Sequence, residues 1–197
     1  MGSSGGVLNR AGMAAAAAIV AGLLACGGSS SPNAGASAPA ARPATALVYA
    51  APRASGYQLV QDASSTGSHL VLDLVGPQGA QIKGVLFSLS VDGTRASWGN
   101  PGGSDPYLKE GQVLALGTGT KLLKSQLGGS TLQAAIFQKG SVPAATLGNQ
   151  PILSVALDLK AGASPGAVSL SSPAAQILDA GGATQAITVA AGTLTAQ

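Results

Sequence analysis

The chain has one histidine, His69, and a carboxylate four residues later in Asp73. An imidazole beside a carboxylate is part of many hydrolytic sites, where the histidine acts as general base toward a serine. The two residues would share one face of a predicted strand but lie about 13 Å apart along it. We find no serine nucleophile elbow, which needs a strand-to-helix turn, in this strand-rich sequence. The sequence therefore predicts no catalytic residues and a protein that is not an enzyme.

Side chains with oxygen atoms between residues 92 and 111 are candidates for binding Ca²⁺, which prefers carboxylate and amide oxygens. The candidates are Asp92, Asn100 and Asp105. Their spacing matches no EF-hand, and Asn and Asp beside Gly and Pro are also common turn formers. We favour turns, and we expect neither a metal nor another cofactor.

Three aromatic residues, Trp98, Tyr107 and Tyr57, are candidate binding residues in a chain that is only 3% aromatic. Trp98 and Tyr107 adjoin one loop rich in Gly and Pro, and aromatic side chains anchor protein interfaces and sugar platforms. The alternative is that Trp98 caps one end of the core. The sequence leaves both interpretations open.

Phosphate or nucleic-acid binding has little support in the sequence. The segment 117–121, GTGTK, lacks the spacing of a phosphate-binding loop and is interpreted as a turn. The net charge is +3, and the basic residues are scattered rather than clustered. Because nucleic-acid binding needs clustered Lys and Arg, we expect no nucleic-acid partner.

Cys26, the only cysteine, follows the apolar run 14–24 (AAAAAIVAGLL), which Arg10 precedes. About eleven apolar residues are too few to span a bilayer and are typical of a signal peptide. The segment Leu23–Cys26 (LLAC) resembles the bacterial lipobox. This resemblance implies cleavage before Cys26 and lipid on its thiol, which would anchor the exported protein to membrane lipid. Gly27 rather than Asp follows the cysteine, which favours the outer membrane.

The remaining sequence divides into a tether and a domain. We predict a lipoprotein signal peptide at residues 1–25, then the lipidated cysteine and a linker rich in Gly, Ser, Pro and Ala at 26–46. Such a linker cannot bury enough apolar surface to order itself. Residues 47–197 contain the alternating apolar runs and form the predicted domain.

Apolar residues recur at every second position in 70–75, 84–91 and 152–160, and Asp-Gly at 92–93 is a tight-turn signal. Period-two alternation predicts strands with one face inward and the other toward water. In the run 152–160, Ser154, Ala156 and Asp158 are expected on the wet face. Residues 122–127 are predicted to form a single helical turn. About nine strands separated by turns rich in Gly predict an all-β fold, a jelly-roll or Greek-key β-sandwich.

The last third of the chain resembles the end of a cohesin domain. The matching phrases are ILSVALDLKAG (152–162), AVSLSS (167–172), AAQILDAGG (174–182) and AITVAAGTLTAQ (186–197), with GVLFSLSVDGTRASW (84–98) upstream. The resemblance covers about residues 68–196. It implies a nine-stranded jelly-roll sandwich that is not catalytic and binds partner modules called dockerins, with a fold related to carbohydrate-binding modules.

These observations predict a surface lipoprotein whose cohesin-like domain recognises a protein, either dockerin-like or a component of the envelope. Two alternatives stay open. One is a carbohydrate-binding module that is linked to polysaccharide degradation and recognises a surface polysaccharide, and the other is a structural subunit of the envelope or an appendage.

Overall fold

The computed structural model describes residues 41–114, 122–138 and 141–197. These residues form fifteen β-strands, most of them short. The strands are β1 Leu47–Ala50, β2 Tyr57–Gln61, β3 His69–Val75, β4 Gln81–Val91, β5 Ala96–Gly99, β6 Lys109–Glu110, β7 Leu122–Gly128, β8 Thr131–Phe137, β9 Ala145–Thr146, β10 Leu153–Leu159, β11 Gly166–Val168, β12 Leu170–Asp179, β13 Thr184–Ala186, β14 Val189–Ala190 and β15 Thr193–Ala196. Among the described residues there is no helix of the length and hydropathy needed to cross a membrane.

The strands form two large sheets and one small one. The first large sheet has the order β14-β2-β3-β10-β5, with β6 also paired to β10, and we call it the β3 sheet. The second has the order β13-β12-β4-β8-β7, with β9 also paired to β4, and we call it the β4 sheet. The small sheet has the order β1-β15-β11. This arrangement confirms the predicted all-β sandwich, with more and shorter strands than the nine expected.

The core lies between the two large sheets because each turns an apolar face inward. Leu70, Leu72 and Leu74 of β3 alternate inward and are fully buried, and Phe87 and Leu89 of β4 join the same cluster. Strand pleating places every second side chain on one face, so the sequence alternation is sufficient to build both walls of this core.

The region 122–127 differs from the prediction of a helical turn. It belongs to β7, which pairs with β8 along its whole length, from Leu122 opposite Phe137 to Gly128 opposite Thr131. A tight turn that contains Gly129 in the left-handed region, with φ of 63°, joins the two strands. The prediction was wrong because hydrogen bonding to β8 overrides the weak local helical preference of this segment.

The expectation that Ser154 and Ala156 face water is also wrong. Both are buried, and so is Val71, which pairs with Ala156 across the β3 sheet. β3 and β10 lie in the interior of that sheet, where polar groups on the outer face bond to one another instead of to water. The Ser154 hydroxyl, for example, donates to Asp73 at 2.6 Å.

Residues just before the predicted domain start at residue 47 also pack onto the sandwich. Ala44 is buried, and its backbone N–H donates to the carbonyl of Ala163 at 2.7 Å. The backbone N–H of Thr45 bonds to the carbonyl of Gln197. The last residues of the predicted linker therefore pack onto the domain.

Candidate interaction surface

Trp98 lies in the core rather than on an open surface. Its side chain is part of the central cluster and only 8% of the residue is exposed. Its indole N–H donates to the carbonyl of Ser130 at 2.9 Å, which satisfies its one polar group. Tyr107 is half-buried and packs against the same cluster. A binding role for these two residues stays a prediction, and their packing leaves little ring surface for a ligand.

Tyr57 and Tyr49 are buried as well. The Tyr49 hydroxyl lies 2.9 Å from the carbonyl oxygen of Leu59 and 2.7 Å from that of Ala191, and it donates to this pair. Burial raises the pKa of both phenols above the ordinary tyrosine value. The Tyr49 hydroxyl therefore links β2 to the segment before β15, and the role predicted for Tyr57 in binding is untested.

The three candidate calcium ligands each accept hydrogen bonds within turns. Asp92 accepts from Thr94 and Arg95, and hydrogen bonding to Thr94 is the main reason that its pKa is lowered. Asn100 accepts from the backbone N–H groups of Gly102 and Gly103. Within the described part of the chain, no three His, Cys, Asp or Glu side chains come together as a metal site would require.

Asp105, the third candidate, connects its own loop to β7. Its carboxylate accepts from the backbone N–H groups of Tyr107 at 2.9 Å and Leu108 at 3.1 Å. The same carboxylate accepts from the backbone N–H and the hydroxyl of Ser125.

His69 and Asp73 do not contact each other, and each has a partner on β10. His69 Nδ1 lies 2.5 Å from a carboxylate oxygen of Asp158, its cross-strand neighbour, while Asp73 accepts from Ser154. Burial raises the pKa of Asp73. The His69–Asp158 pair was missed in the sequence because the two residues lie on different strands, 89 positions apart.

A Gly-x-Ser-x-Gly string occurs at residues 162–166, in the connection between β10 and β11. It is followed by a strand rather than by a helix, so it lacks the geometry of a nucleophile elbow. Its serine, Ser164, accepts a hydrogen bond from the Arg95 guanidinium through its backbone carbonyl.

The β4 sheet, by contrast, turns an open face away from the core. Strand register places these outward side chains in rows across β7, β8, β4 and β12. We call this surface the outer β4 face; its members are Leu86, Ser88, Leu122, Lys124, Gln126, Gln133, Ala135, Phe137, Ala174, Gln176 and Leu178. Lys124 is the only charged member.

Leu86 stands at the centre of the outer β4 face. It lies opposite Ala135 on one side and Gln176 on the other, and 42% of its surface is exposed. Leu122, at the β7 edge, is 45% exposed. Two shallow hollows border Leu86, one of about 160 Å³ toward Lys124 and one of about 80 Å³ toward Phe137. A partner side chain could enter either hollow.

Gly84 lets an aromatic ring lie against this face. A Cβ atom at Gly84 would fall within 3 Å of the Phe137 ring and of the Ile136 carbonyl oxygen, so only glycine leaves the space. Phe137 is opposite Gly84 in the register and is half-buried. The glycine therefore flattens the face beside Leu86.

Sequence reasoning did not single out Leu86, although a signal was present. In the alternating run 84–91, Leu86 occupies the phase of Ser88 and Ser90, which predicts an apolar side chain on the face opposite the core. The predicted signal peptide, Cys26 and the segment 117–121 lie outside the described residues.

Comparison with known proteins identifies the fold. No protein-family model and no curated protein sequence matches the chain. Among solved structures, it is similar to a type II cohesin in a cohesin–X-dockerin complex from Acetivibrio cellulolyticus, at 9% identity with a TM-score of 0.54, covering 70% of this chain and 95% of that one. It is also similar to the second type II cohesin module of the ScaA scaffoldin from the same organism, at 11% identity with a TM-score of 0.51, covering 72% and 94%. The described sandwich therefore has the fold of cohesin domains.

Proposed function

We propose that this chain is an exported lipoprotein, anchored through Cys26, whose sandwich is a non-catalytic module that recognises a protein partner through the outer β4 face. The observation that carries this proposal is the exposure of Leu86 at the centre of a face with one charge. Apolar side chains grouped on an exposed surface favour association because burying them removes apolar area from water.

The cohesin fold supports a protein rather than a carbohydrate as the partner. One of the similar cohesins is part of a complex with an X-dockerin. Polysaccharide platforms instead need aromatic ring faces open to solvent. The chain has one Trp, three Tyr and two Phe, and each of them is buried or half-buried.

Site-specific photo-crosslinking in intact cells tests this proposal. A photoreactive amino acid replaces Leu86 in one variant and Val48, on β1, in the control. Val48 is 45% exposed against 42% for Leu86, so the two positions are matched in accessibility. We expect position 86 to crosslink to one discrete protein and position 48 not to. Equal crosslinking from both positions, or none from position 86, would contradict the proposal.

The anchoring part of the proposal has a separate test. Mass spectrometry of the membrane fraction is expected to find Cys26 as the first residue, carrying lipid. The variant Cys26→Ser should lose the lipid and leave that fraction, because acyl chains supply the membrane affinity. An unmodified thiol on a chain that still begins at Met1 would refute lipid anchoring.

A further inference from the structure

β7 is an outermost strand of the β4 sheet. It pairs with β8 on one side, and on its other side no strand among the described residues pairs with it. An edge strand of seven residues presents backbone N–H and C=O groups to which a second strand could bind. Natural proteins cover or block such edges because open ones promote association.

The Asp105 carboxylate occupies this edge. It accepts the backbone N–H of Ser125 at 3.1 Å, which shows that this N–H points away from β8. In an antiparallel ladder, backbone groups two residues apart point the same way. The N–H groups of Leu123 and Leu127 therefore also point toward the outer edge of β7.

The same carboxylate holds its own loop in place. It accepts the backbone N–H groups of Tyr107 and Leu108, and Asp105 lines a small hollow together with Ser104, Pro106 and Leu123. One side chain thus fixes the loop against the middle of β7. Loss of the carboxylate would free the loop and the Ser125 N–H at the same time.

We propose that the outer edge of β7 is a latent strand-pairing surface for β7 of a second copy, and that Asp105 is the latch that keeps it closed. The segment 123–127 reads Leu-Lys-Ser-Gln-Leu. In antiparallel self-pairing centred on Ser125, Leu123 would lie opposite Leu127 of the second copy and Lys124 opposite Gln126. Apolar groups would meet apolar groups, and the two lysines would not be directly opposed, as stable cross-strand pairing requires.

Sedimentation velocity over a concentration series tests the latch. We expect the wild-type domain to be monomeric and Asp105→Ala to form a dimer, with a dissociation constant lowered by about tenfold or more. Asp92→Ala is the matched control because Asp92 also accepts bonds from a turn N–H and a hydroxyl. A folded Asp105→Ala variant that stays as monomeric as Asp92→Ala would overturn the proposal.

A second variant identifies the edge that pairs. Proline at position 127 removes an outward N–H and is tolerated on edge strands. Asp105→Ala combined with Leu127→Pro should therefore return to the monomer. If the double variant dimerises as strongly as Asp105→Ala, the dimer uses another surface and the proposed pairing is wrong.

Hydrogen exchange on the wild-type protein tests the latch without any substitution. The Ser125 N–H should exchange more slowly than the outward N–H groups of Leu123 and Leu127, because only Ser125 donates to Asp105. Equal exchange at all three positions would overturn the latch, whether or not Asp105→Ala folds.

Discussion

The outer faces of the two large sheets differ in how far their side chains are buried. On the β3 sheet, Val71 and Ala156 are buried, and Asp73 and Ser154 bond to each other. On the β4 sheet, Leu86 and its neighbours remain exposed, and Lys124 is the one charge among the defined residues of that face. At β3 and β10 the first sheet is closed on both sides, whereas the β4 sheet is closed only toward the core.

Because of this difference, we expect one outer face to contribute to the stability of the domain and the other to contribute to partner recognition. Side chains that are buried on both sides of a sheet contribute to the free energy of folding, and replacing them affects the whole domain. Side chains on an open face contribute little to folding and are available to a partner. Substitutions on the closed face should therefore lower the stability of the domain, whereas substitutions on the outer β4 face should leave stability unchanged and weaken partner binding.

The largest effect is expected for Trp98→Ala, which removes a core side chain. We expect a loss of about 3–5 kcal/mol in the free energy of unfolding, measured by urea denaturation, since the truncation leaves a cavity. Trp98→Phe should lose less. A variant with unchanged stability and lost ligand binding would instead support the contact role that the sequence left open.

Matched truncations sharpen the comparison between the faces. Val71→Ala should lower the free energy of unfolding by about 2 kcal/mol, because the residue is buried on the closed face. Leu86→Ala should change it by less than about 0.5 kcal/mol. Similar losses in both variants would show that the two faces do not differ as described.

The buried acid on the closed face should make stability depend on pH. Burial raises the pKa of Asp73, so its contribution to stability is fully present at acid pH and is lost as the pH rises through the raised value. Asp73→Asn cannot ionise and should be more stable than the wild type at neutral pH. Urea denaturation over a pH series should show this difference disappear at acid pH; a constant difference would contradict it.

The smallest effect is expected at the rim of the closed face. The His69 and Asp158 side chains are 32% and 46% exposed, so water screens their attraction. His69→Gln should cost less than about 1 kcal/mol in thermal or urea unfolding. A loss as large as that of Val71→Ala would mean that the pair is an essential part of the closed face.

The sequence alternation was enough to predict the strands that build the core. Leu70, Leu72 and Leu74 repeat every second residue, and the structure places all three inside. The same rule could not show that Ser154 and Ala156 would be buried, because alternation distinguishes two faces but does not tell what covers the second one.

The contacts between distant strands could not be predicted either. His69 meets Asp158, and Asp105 meets Ser125, through strand register and loop placement that no local pattern encodes. The helical turn predicted at 122–127 failed for a related reason, since pairing with β8 decides its conformation. The sequence does show that Leu86 is an apolar residue at a position of the alternation where Ser88 and Ser90 are polar, but only the structure shows that its side chain remains exposed.

The affinity of Leu86→Lys for the partner identified by crosslinking tests the central claim most directly. We predict that its unfolding midpoint matches that of the wild type and that binding weakens by about tenfold or more, while Val48→Lys retains full affinity. If Leu86→Lys folds normally and binds as tightly as Val48→Lys, the outer β4 face is not the recognition surface.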